Sequence, residues 1–186
     1  RQPGSAIKPF VYLSAFKRGY TPDTIVFDLP TEFDTTGDPE RSYKPENYDE
    51  KYLGPVTLKE SLAQSRNVPS VKALYLAGIS NALETAHQFG ITTLKERGRY
   101  GLSLVLGGGE VKLIDMVGAY STMAQDGKKH AQSLVLKVED NKGRLLEEYN
   151  DKIDIVSAPQ YPRLINNILS DVELRRPLFQ NSINQT

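Results

Sequence analysis

The chain has 186 residues, enough for one domain whose core needs neither disulfides nor a structural metal. Its 23 Lys and Arg residues balance 23 Asp and Glu residues, which excludes the strong positive field of a nucleic-acid binder. Cysteine is absent and only 2 histidines occur, so thiol catalysis and most metal sites are excluded and no cofactor is expected. No apolar run approaches the ~18 residues of a membrane span. Because the chain begins at Arg1, we expect it to be a piece of a longer protein.

Apolar residues recur at helical spacing in six segments, several of which have a capping residue at the start or a glycine just past the end. The clearest start is the capping box of Thr57 with Glu60. The clearest periodicity predicts one apolar helix face made of Leu113, Met116, Val117, Tyr120 and Ala124. Helices are predicted over residues 9–18, 57–64, 69–77, 82–89, 113–124 and 159–173.

The remaining segments carry loop and strand signals. Five prolines between residues 20 and 56 exclude a continuous helix, so we expect a long ordered loop with short extended pieces, a type of loop that is often functional. Residues 133–149 predict a β-hairpin that turns at 141–143. Residues 175–186 are predicted to be a polar tail without a core of its own. The fold is therefore expected to be mainly α with a small β-hairpin.

Two S-x-x-K pairs lie near the start of the chain, and only their context separates them. Ser5 and Lys8 follow Pro3-Gly4 and precede the first helix, so Ser5 is placed at a helix N-terminus with Lys8 on the same face. Ser14 and Lys17 lie inside that amphipathic helix, where Lys17 is expected to be solvated. Taken alone, the first pair is better explained as an N-cap serine followed by a surface lysine.

A second motif, S-x-N, is formed by Ser65 and Asn67 at the end of the helix predicted over 57–64. The same spacing recurs at residues 182–184 in the polar tail. Taken alone, Ser65 and Asn67 are a helix C-cap and a turn asparagine. However, S-x-x-K followed by S-x-N is a paired signature of penicillin-binding proteins and serine β-lactamases. A serine nucleophile needs an adjacent base, and a desolvated lysine can act as one.

The segment RQPGSAIKPF closely resembles the nucleophile segment of the transpeptidase domain of class A penicillin-binding proteins. The resemblance spans residues 1–173 and is carried by 1–10, 47–49 (NYD), 54–58 (GPVTL), 65–69 (SRNVP), 107–111 (GGGEV), 118–120 (GAY) and 127–128 (GK). It implies that Ser5 is the acylated nucleophile and Lys8 its base. It also implies that Ser65 relays the proton and that Asn67 binds the substrate through its amide. We therefore expect Lys8 Nζ within hydrogen-bond reach of Ser5 Oγ, with Ser65 Oγ near the same point.

The resemblance implies a D-Ala-D-Ala transpeptidase of peptidoglycan synthesis, which cross-links stem peptides through an acyl-enzyme on Ser5 and is acylated by β-lactams. Stem peptides and β-lactams are thus the expected partners, with cell shape and antibiotic resistance as the expected biological context. The parent protein is expected to carry a glycosyltransferase domain and an anchor at the outer face of the bacterial cytoplasmic membrane. The alternatives are a serine β-lactamase, which residues 54–68 match less well, and a non-catalytic penicillin-binding sensor module.

The third motif of the family, K-S/T-G, does not occur in the sequence; the nearest runs are residues 128–130 (KKH) and 142–144 (KGR). In the family this motif lies on a central strand after the last helix. Residues 1–186 are therefore expected to be a partial transpeptidase domain, the helical part of the family's α+β fold with the central sheet largely missing. Residues 175–186 would lead to the missing strand. The chain alone is expected to be inactive.

Overall fold

The structure, a computed structural model, describes residues 1–33, 42–95 and 97–179. After a 3-10 turn at Gly4–Ile7, the helices in these ranges are α1 (Lys8–Lys17), α2 (Leu58–Ala63), α3 (Asn67–Ala77), α4 (Ile79–Gln88), α5 (Leu113–Ala124), α6 (Gln160–Ser170) and α7 (Val172–Phe179). The strands are β1 (Ile25–Asp28), β2 (Gly54–Thr57), β3 (Lys128–His130), β4 (Lys137–Glu139), β5 (Leu145–Glu148) and β6 (Ile153–Ile155). They form three antiparallel pairs, β1 with β2, β3 with β6 and β4 with β5. The expectation of a mainly helical fold with an incomplete sheet is confirmed.

Helix α1 is the centre of the molecule. It packs against α2, α3, α4 and α6, and its residues from Lys8 through Phe16 are all buried. The ring of Phe10 meets the rings of Phe89 and Tyr120 edge-on, with centroids 5.8 and 5.5 Å apart. A helix that is enclosed on every side belongs to the core rather than to the surface. The predicted amphipathic character of this helix is therefore wrong.

Helix α2 begins with the predicted capping box. The Thr57 hydroxyl oxygen accepts the backbone N–H of Glu60, and the Glu60 carboxylate accepts the backbone N–H of Thr57 at 2.8 Å. Each side chain thus satisfies a backbone donor that the helix itself leaves without a partner. The box fixes where α2 starts, and hence which residues follow its last turn.

The long loop predicted over residues 20–56 contains a short ribbon. Its strand β1 pairs with β2, so that Ile25 lies opposite Thr57 and Asp28 lies opposite Gly54. The loop is therefore fastened at both ends to the start of α2. Residues 34–41 lie outside the described part of the chain.

Helix α5 turns only part of its predicted apolar face inward: Met116 is buried and Tyr120 packs on the core, whereas other members of that face are exposed. Leu113 is 80% exposed and Val117 is 58% exposed. The buried side carries Asp115, whose carboxylate accepts the backbone N–H and the hydroxyl of Thr92 at 2.8 and 2.6 Å. This pair of hydrogen bonds rotates the helix so that Asp115 faces the core and two apolar side chains face solvent. The buried residues of the helix are Asp115, Met116, Ala119, Thr122 and Met123.

The C-terminal region departs from its prediction in one respect. The helix predicted over 159–173 is interrupted at Asp171, whose backbone is extended, and helical structure then resumes as α7. The predicted polar tail is thus helical as far as Phe179, and α7 packs against α2 and α6. Residues 180–186 lie outside the described ranges. The predicted hairpin is present as β4 and β5. None of the helices described is long and apolar enough to cross a bilayer.

We expect Thr57→Ala to lower the free energy of unfolding by about 1–2 kcal/mol, because it removes the oxygen that caps α2. Urea denaturation followed by circular dichroism measures this loss. The control is Thr21→Ala, whose exposed hydroxyl reaches only Thr24 Oγ1 at 3.4 Å, and we expect it to change stability by less than about 0.5 kcal/mol. An equal loss in both variants would contradict the role of the cap.

Candidate active site

Three of the four predicted site residues line one pocket of about 290 Å³. Ser5 comes from the 3-10 turn before α1, Lys8 is the first residue of α1, and Ser65 comes from the turn after α2. Asn67 is not part of the pocket lining, although it contacts Lys8. The other lining residues are Pro9, Leu62, Ala63, Tyr120, Leu169, Arg175 and Phe179.

Ser5 is exposed and lies in the 3-10 turn just before α1, close to the helix N-terminus where it was predicted. Its hydroxyl has no hydrogen-bond partner among the described residues, so it is free to meet a substrate in the pocket. The Tyr120 hydroxyl of helix α5 helps to hold this turn by donating a hydrogen bond to the Ala6 carbonyl at 3.0 Å. Burial raises the pKa of Tyr120 to about 12, so this donor keeps its proton at neutral pH.

The glycine run at 107–109, which carries no phosphate-loop motif, supports the same turn. A Cβ atom on Gly107 would lie 2.4 Å from the backbone nitrogen of Gly4, a distance that no side chain could accommodate. Gly107 also has a φ of +95°, in the left-handed region that favours glycine. The segment after residues 102–106 can therefore approach the turn at Gly4–Ile7 only because residue 107 has no side chain.

The Lys8 amine is directed at the turn formed by residues 65–67. Lys8 is 1% exposed, and its Nζ donates to the Ser65 carbonyl at 2.7 Å and to Asn67 Oδ1 at 2.8 Å, with a longer contact to the Arg66 carbonyl at 3.4 Å. The Ser65 hydroxyl oxygen lies 3.1 Å from Nζ, as expected from the sequence. The expected hydrogen bond to Ser5 is not formed, because the buried amine is bound to the carbonyl and amide oxygens deeper in the site.

The electrostatic surroundings make Lys8 a plausible base on chemical grounds. Burial, assisted by the positive charge of Arg66, lowers the pKa of Lys8 from 10.5 to about 7. A neutral amine has two N–H donors and one lone pair. With its donors on the Ser65 carbonyl and Asn67 Oδ1, its lone pair is available to the Ser65 hydroxyl or to a group in the pocket.

The turn that carries Ser65 is a Schellman motif that ends α2. The backbone N–H of Ser65 bonds to the Leu62 carbonyl at 3.0 Å, and that of Arg66 bonds to the Ser61 carbonyl at 2.9 Å. The left-handed position of this motif, usually glycine, is Ser65 with a φ of 52°. A non-glycine residue there costs about 1–3 kcal/mol of strain. The strained residue is the one whose hydroxyl approaches Lys8.

Asn67 opens α3 and uses both ends of its side chain. Its Oδ1 accepts from Lys8, while its Nδ2 donates to the Glu46 carbonyl at 2.7 Å. Its backbone N–H donates to Asn47 Oδ1 at 2.8 Å. The described contacts of Asn67 are thus with the protein itself, and its substrate-binding role stays a prediction.

Sequence reasoning missed the residues that hold this turn in place. Arg66 is buried together with Asp28, and Asn47 bonds to both Asp28 and Asn67. The only available signal was the NYD run, which marked Asn47 and Asp49 by resemblance without a role. Arg175 and Phe179 of α7 were also missed, because they fall in the predicted tail.

The second S-x-x-K pair lies away from the pocket, and the second S-x-N spacing cannot be compared with the site. Ser14 is buried at 2% exposure within α1 and does not line the pocket, and Lys17 donates to Gln88 Oε1 at 2.9 Å. The S-x-N spacing at 182–184 lies outside the described residues.

Comparisons with known proteins agree with this geometry. A family model described as "Penicillin binding protein transpeptidase domain" matches residues 1–177. Penicillin-binding protein 1A of Neisseria flavescens is 32% identical over 160 residues, which cover 86% of this chain and 20% of that protein. The chain thus spans about a fifth of the length of such relatives.

Solved structures show the same fold. The 2.6 Å crystal structure of penicillin-binding protein 1A from Haemophilus influenzae matches with a TM-score of 0.80 at 26% identity, over 89% of this chain and 29% of that one. The PonA1 protein of Mycobacterium tuberculosis in complex with penicillin V matches with a TM-score of 0.79 at 25% identity. That match covers 90% of this chain and 46% of the other.

The lowered pKa of Lys8 has a measurable consequence for stability. Between about pH 7 and 10 the unfolded chain holds a proton on Lys8 that the folded chain has released, so stability rises with pH in this window. Relative to Lys8→Met, we expect the free energy of unfolding of the wild-type chain to rise by about 4 kcal/mol across it. Urea denaturation at a series of pH values measures the difference.

The matched control is Lys142→Met, which removes a lysine from the exposed turn of the hairpin. If Lys8→Met follows the same pH dependence as the wild-type chain, the amine is not desolvated in the folded state.

Proposed function

Because the chain belongs to the penicillin-binding-protein transpeptidase family, we propose that it is the acyl-transfer part of a D-Ala-D-Ala transpeptidase with Ser5 as its nucleophile. One observation carries the assignment of residues. The buried Lys8 amine, with its lowered pKa, lies at hydrogen-bond distance from Ser65 in a pocket that Ser5 also lines. A neutral amine beside two hydroxyl groups is what a lysine-assisted serine acylation requires.

In this mechanism the Ser5 hydroxyl attacks the carbonyl between the two terminal D-Ala residues of a stem peptide, and its proton passes to Lys8. The lone pair of Lys8 is available because both its N–H groups are bound by Ser65 and Asn67. The backbone N–H of Ser5 is one donor for the oxyanion. Ser65, 3.1 Å from Nζ, relays the proton to the departing amine of the last D-Ala residue.

The product of this step is an ester between Ser5 and the shortened peptide. An amine of a neighbouring peptidoglycan strand attacks this ester, gives up a proton and releases Ser5. A β-lactam acylates the same serine, because its ring amide takes the place of the peptide bond. The match to a PonA1 structure that holds penicillin V supports this part of the proposal.

The pocket favours a transpeptidase over a serine β-lactamase. Hydrolysis of the acyl-enzyme requires a base that activates water. Among the residues described as lining the pocket, none carries a carboxylate, and Arg175 keeps its proton, so Lys8 is the basic side chain there that can accept one. A stable acyl-enzyme that waits for an amine is the expected result. A non-catalytic module is distinguished by its failure to form the ester at all.

The proposal also places the domain in the cell. Stem peptides are cross-linked at the outer face of the bacterial cytoplasmic membrane, and the domain acts there as part of a longer parent protein. That parent supplies the membrane anchor and a peptidoglycan glycosyltransferase domain.

We expect Ser5→Ala to abolish covalent labelling by a fluorescent penicillin and Ser14→Ala to leave it unchanged. Ser14 has the same S-x-x-K spacing but is enclosed in α1, so it is the matched control. Gel fluorescence measures the labelling, and mass spectrometry locates the labelled peptide. Labelling that survives in Ser5→Ala, or that is lost equally in both variants, contradicts the assignment of the nucleophile.

We further expect the chain alone to be acylated slowly. Acyl transfer uses two oxyanion donors, and in the family the second comes from the strand that bears K-S/T-G, a motif absent from residues 1–186. Fusing that strand from a relative to the C-terminus should raise the acylation rate by about 10²–10³-fold. The control is a fusion with alanines in place of the motif. Equal rates in the chain and the fusion would show that the chain already has a complete site.

A further inference from the structure

We propose that Arg66 is a positioning residue of the reaction: anchored by two aspartates, it fixes the turn at 65–67 so that this turn binds both N–H groups of Lys8 and leaves its lone pair free. The inference rests on the proposed function, because it concerns the base of the same site. Arg66 stands between the two residues of the S-x-N motif, and its side chain points away from the pocket into the protein.

The guanidinium group of Arg66 is bonded through all three of its nitrogens. Arg66 is 3% exposed, and its Nε and Nη2 lie 3.0 and 2.9 Å from Asp28 Oδ2. Its Nη1 donates to Asp49 Oδ2 at 2.8 Å, and Nη2 also donates to the Lys51 carbonyl. The three nitrogens of the guanidinium spread their donors in a planar fork, whereas the donors of a lysine all leave one nitrogen, so a lysine is not expected to keep all of these bonds.

Two further connections hold the turn on either side of Arg66. Asn47 donates to Asp28 Oδ1 at 2.7 Å and accepts the backbone N–H of Asn67 at 2.8 Å. The Arg66 carbonyl accepts the Ser70 hydroxyl, whose oxygen lies 3.0 Å from the Tyr12 hydroxyl of α1. The turn is thereby fixed both to the loop that precedes α2 and to the central helix.

Stability alone does not account for this arrangement. Asp28 is fully buried, and placing a carboxylate and a guanidinium in the interior costs desolvation energy that their attraction often only balances. In other proteins, replacing a buried ion pair with apolar residues of similar volume often leaves stability unchanged or raises it. The ion pair instead holds the backbone of residues 65–67 in one conformation, and these residues supply the oxygens that bind Lys8.

The dependence of Lys8 on this turn is direct. Its two short hydrogen bonds go to the Ser65 carbonyl and to Asn67 Oδ1, the residues on either side of Arg66. A movement of the turn by about 1 Å would lengthen both bonds beyond hydrogen-bond distance. Water would then reach the amine, which would hold its proton more tightly and serve less well as a base.

The test is Arg66→Lys, which keeps the positive charge beside Lys8 but removes the fork. We expect the pKa of Lys8, followed by NMR of its ¹³Cε resonance, to rise by about one unit or more. We also expect acylation of Ser5 by a fluorescent penicillin, per folded molecule, to fall by about 10–100-fold at pH 8. If Arg66 acted only through its charge, both quantities would stay at their wild-type values.

The matched control is Arg163→Lys. Arg163 also donates through two nitrogens to one carboxylate oxygen, that of Asp126 at 3.0 and 2.7 Å, but this pair is exposed and does not contact residues 65–67. We expect neither the Lys8 titration nor the acylation rate to change in this variant. A similar change in both variants would overturn the proposal.

Asp49→Asn is the second variant, and it decides the matter if Arg66→Lys does not fold. It weakens one bond of the fork and leaves the pair of Arg66 with Asp28 intact. We expect a smaller rise in the Lys8 pKa and a smaller loss of acylation. A folded variant of Arg66 or Asp49 with the wild-type titration and rate refutes the positioning role. Because the titration needs no acylation, it tests this inference even in a chain that does not react. A wild-type chain that still fails to react after fusion to the K-S/T-G strand would refute the proposed function without deciding this inference.

Discussion

The structure depends on one buried amine. Lys8 stands at the start of a helix that is enclosed on every side, so its side chain cannot reach bulk water. A buried polar group without a partner is costly, and the partners must therefore come to it. These partners belong to a turn 57 residues further along the chain. The contact of Lys8 with this turn therefore links the packing of α1 to the shape of the pocket, and it belongs both to the core and to the site.

The turn is delivered by the elements on either side of it. A capping box starts α2 and a Schellman motif ends it, so the length of this helix is set at both ends by local hydrogen bonds. The proline-rich loop before it carries the two carboxylates that hold Arg66, and also Asn47, which bonds to Asp28 and to the backbone N–H of Asn67. The loop thus belongs to the machinery of the site without lining the pocket.

Much of the fold and part of the site could be predicted from the sequence. Features that depend on residues close together in the sequence were predicted, whereas features that depend on residues far apart in the sequence were not. The capping box at Thr57 and the hairpin turn were predicted because their chemistry lies within a few residues. The face of α5 was predicted only in part, because periodicity counts apolar residues and does not register that Asp115 has a buried partner in Thr92. The pairing of Arg66 with Asp28 spans 38 residues and leaves no local signal. The missing bond from Ser5 to Lys8 has the same origin, since distant carbonyl and amide oxygens compete for the amine.

The left-handed backbone of Ser65 has an evolutionary consequence. Glycine would relieve the strain at this position and would suit the end of α2 better than serine does. A selection for thermal tolerance alone would therefore favour a substitution that deletes the hydroxyl beside Lys8. The stability of the turn and the proton relay proposed for Ser65 thus place opposite demands on this position. Engineering that stabilises the domain by consensus or by relief of strain should keep Ser65 if the proposed relay is to be preserved.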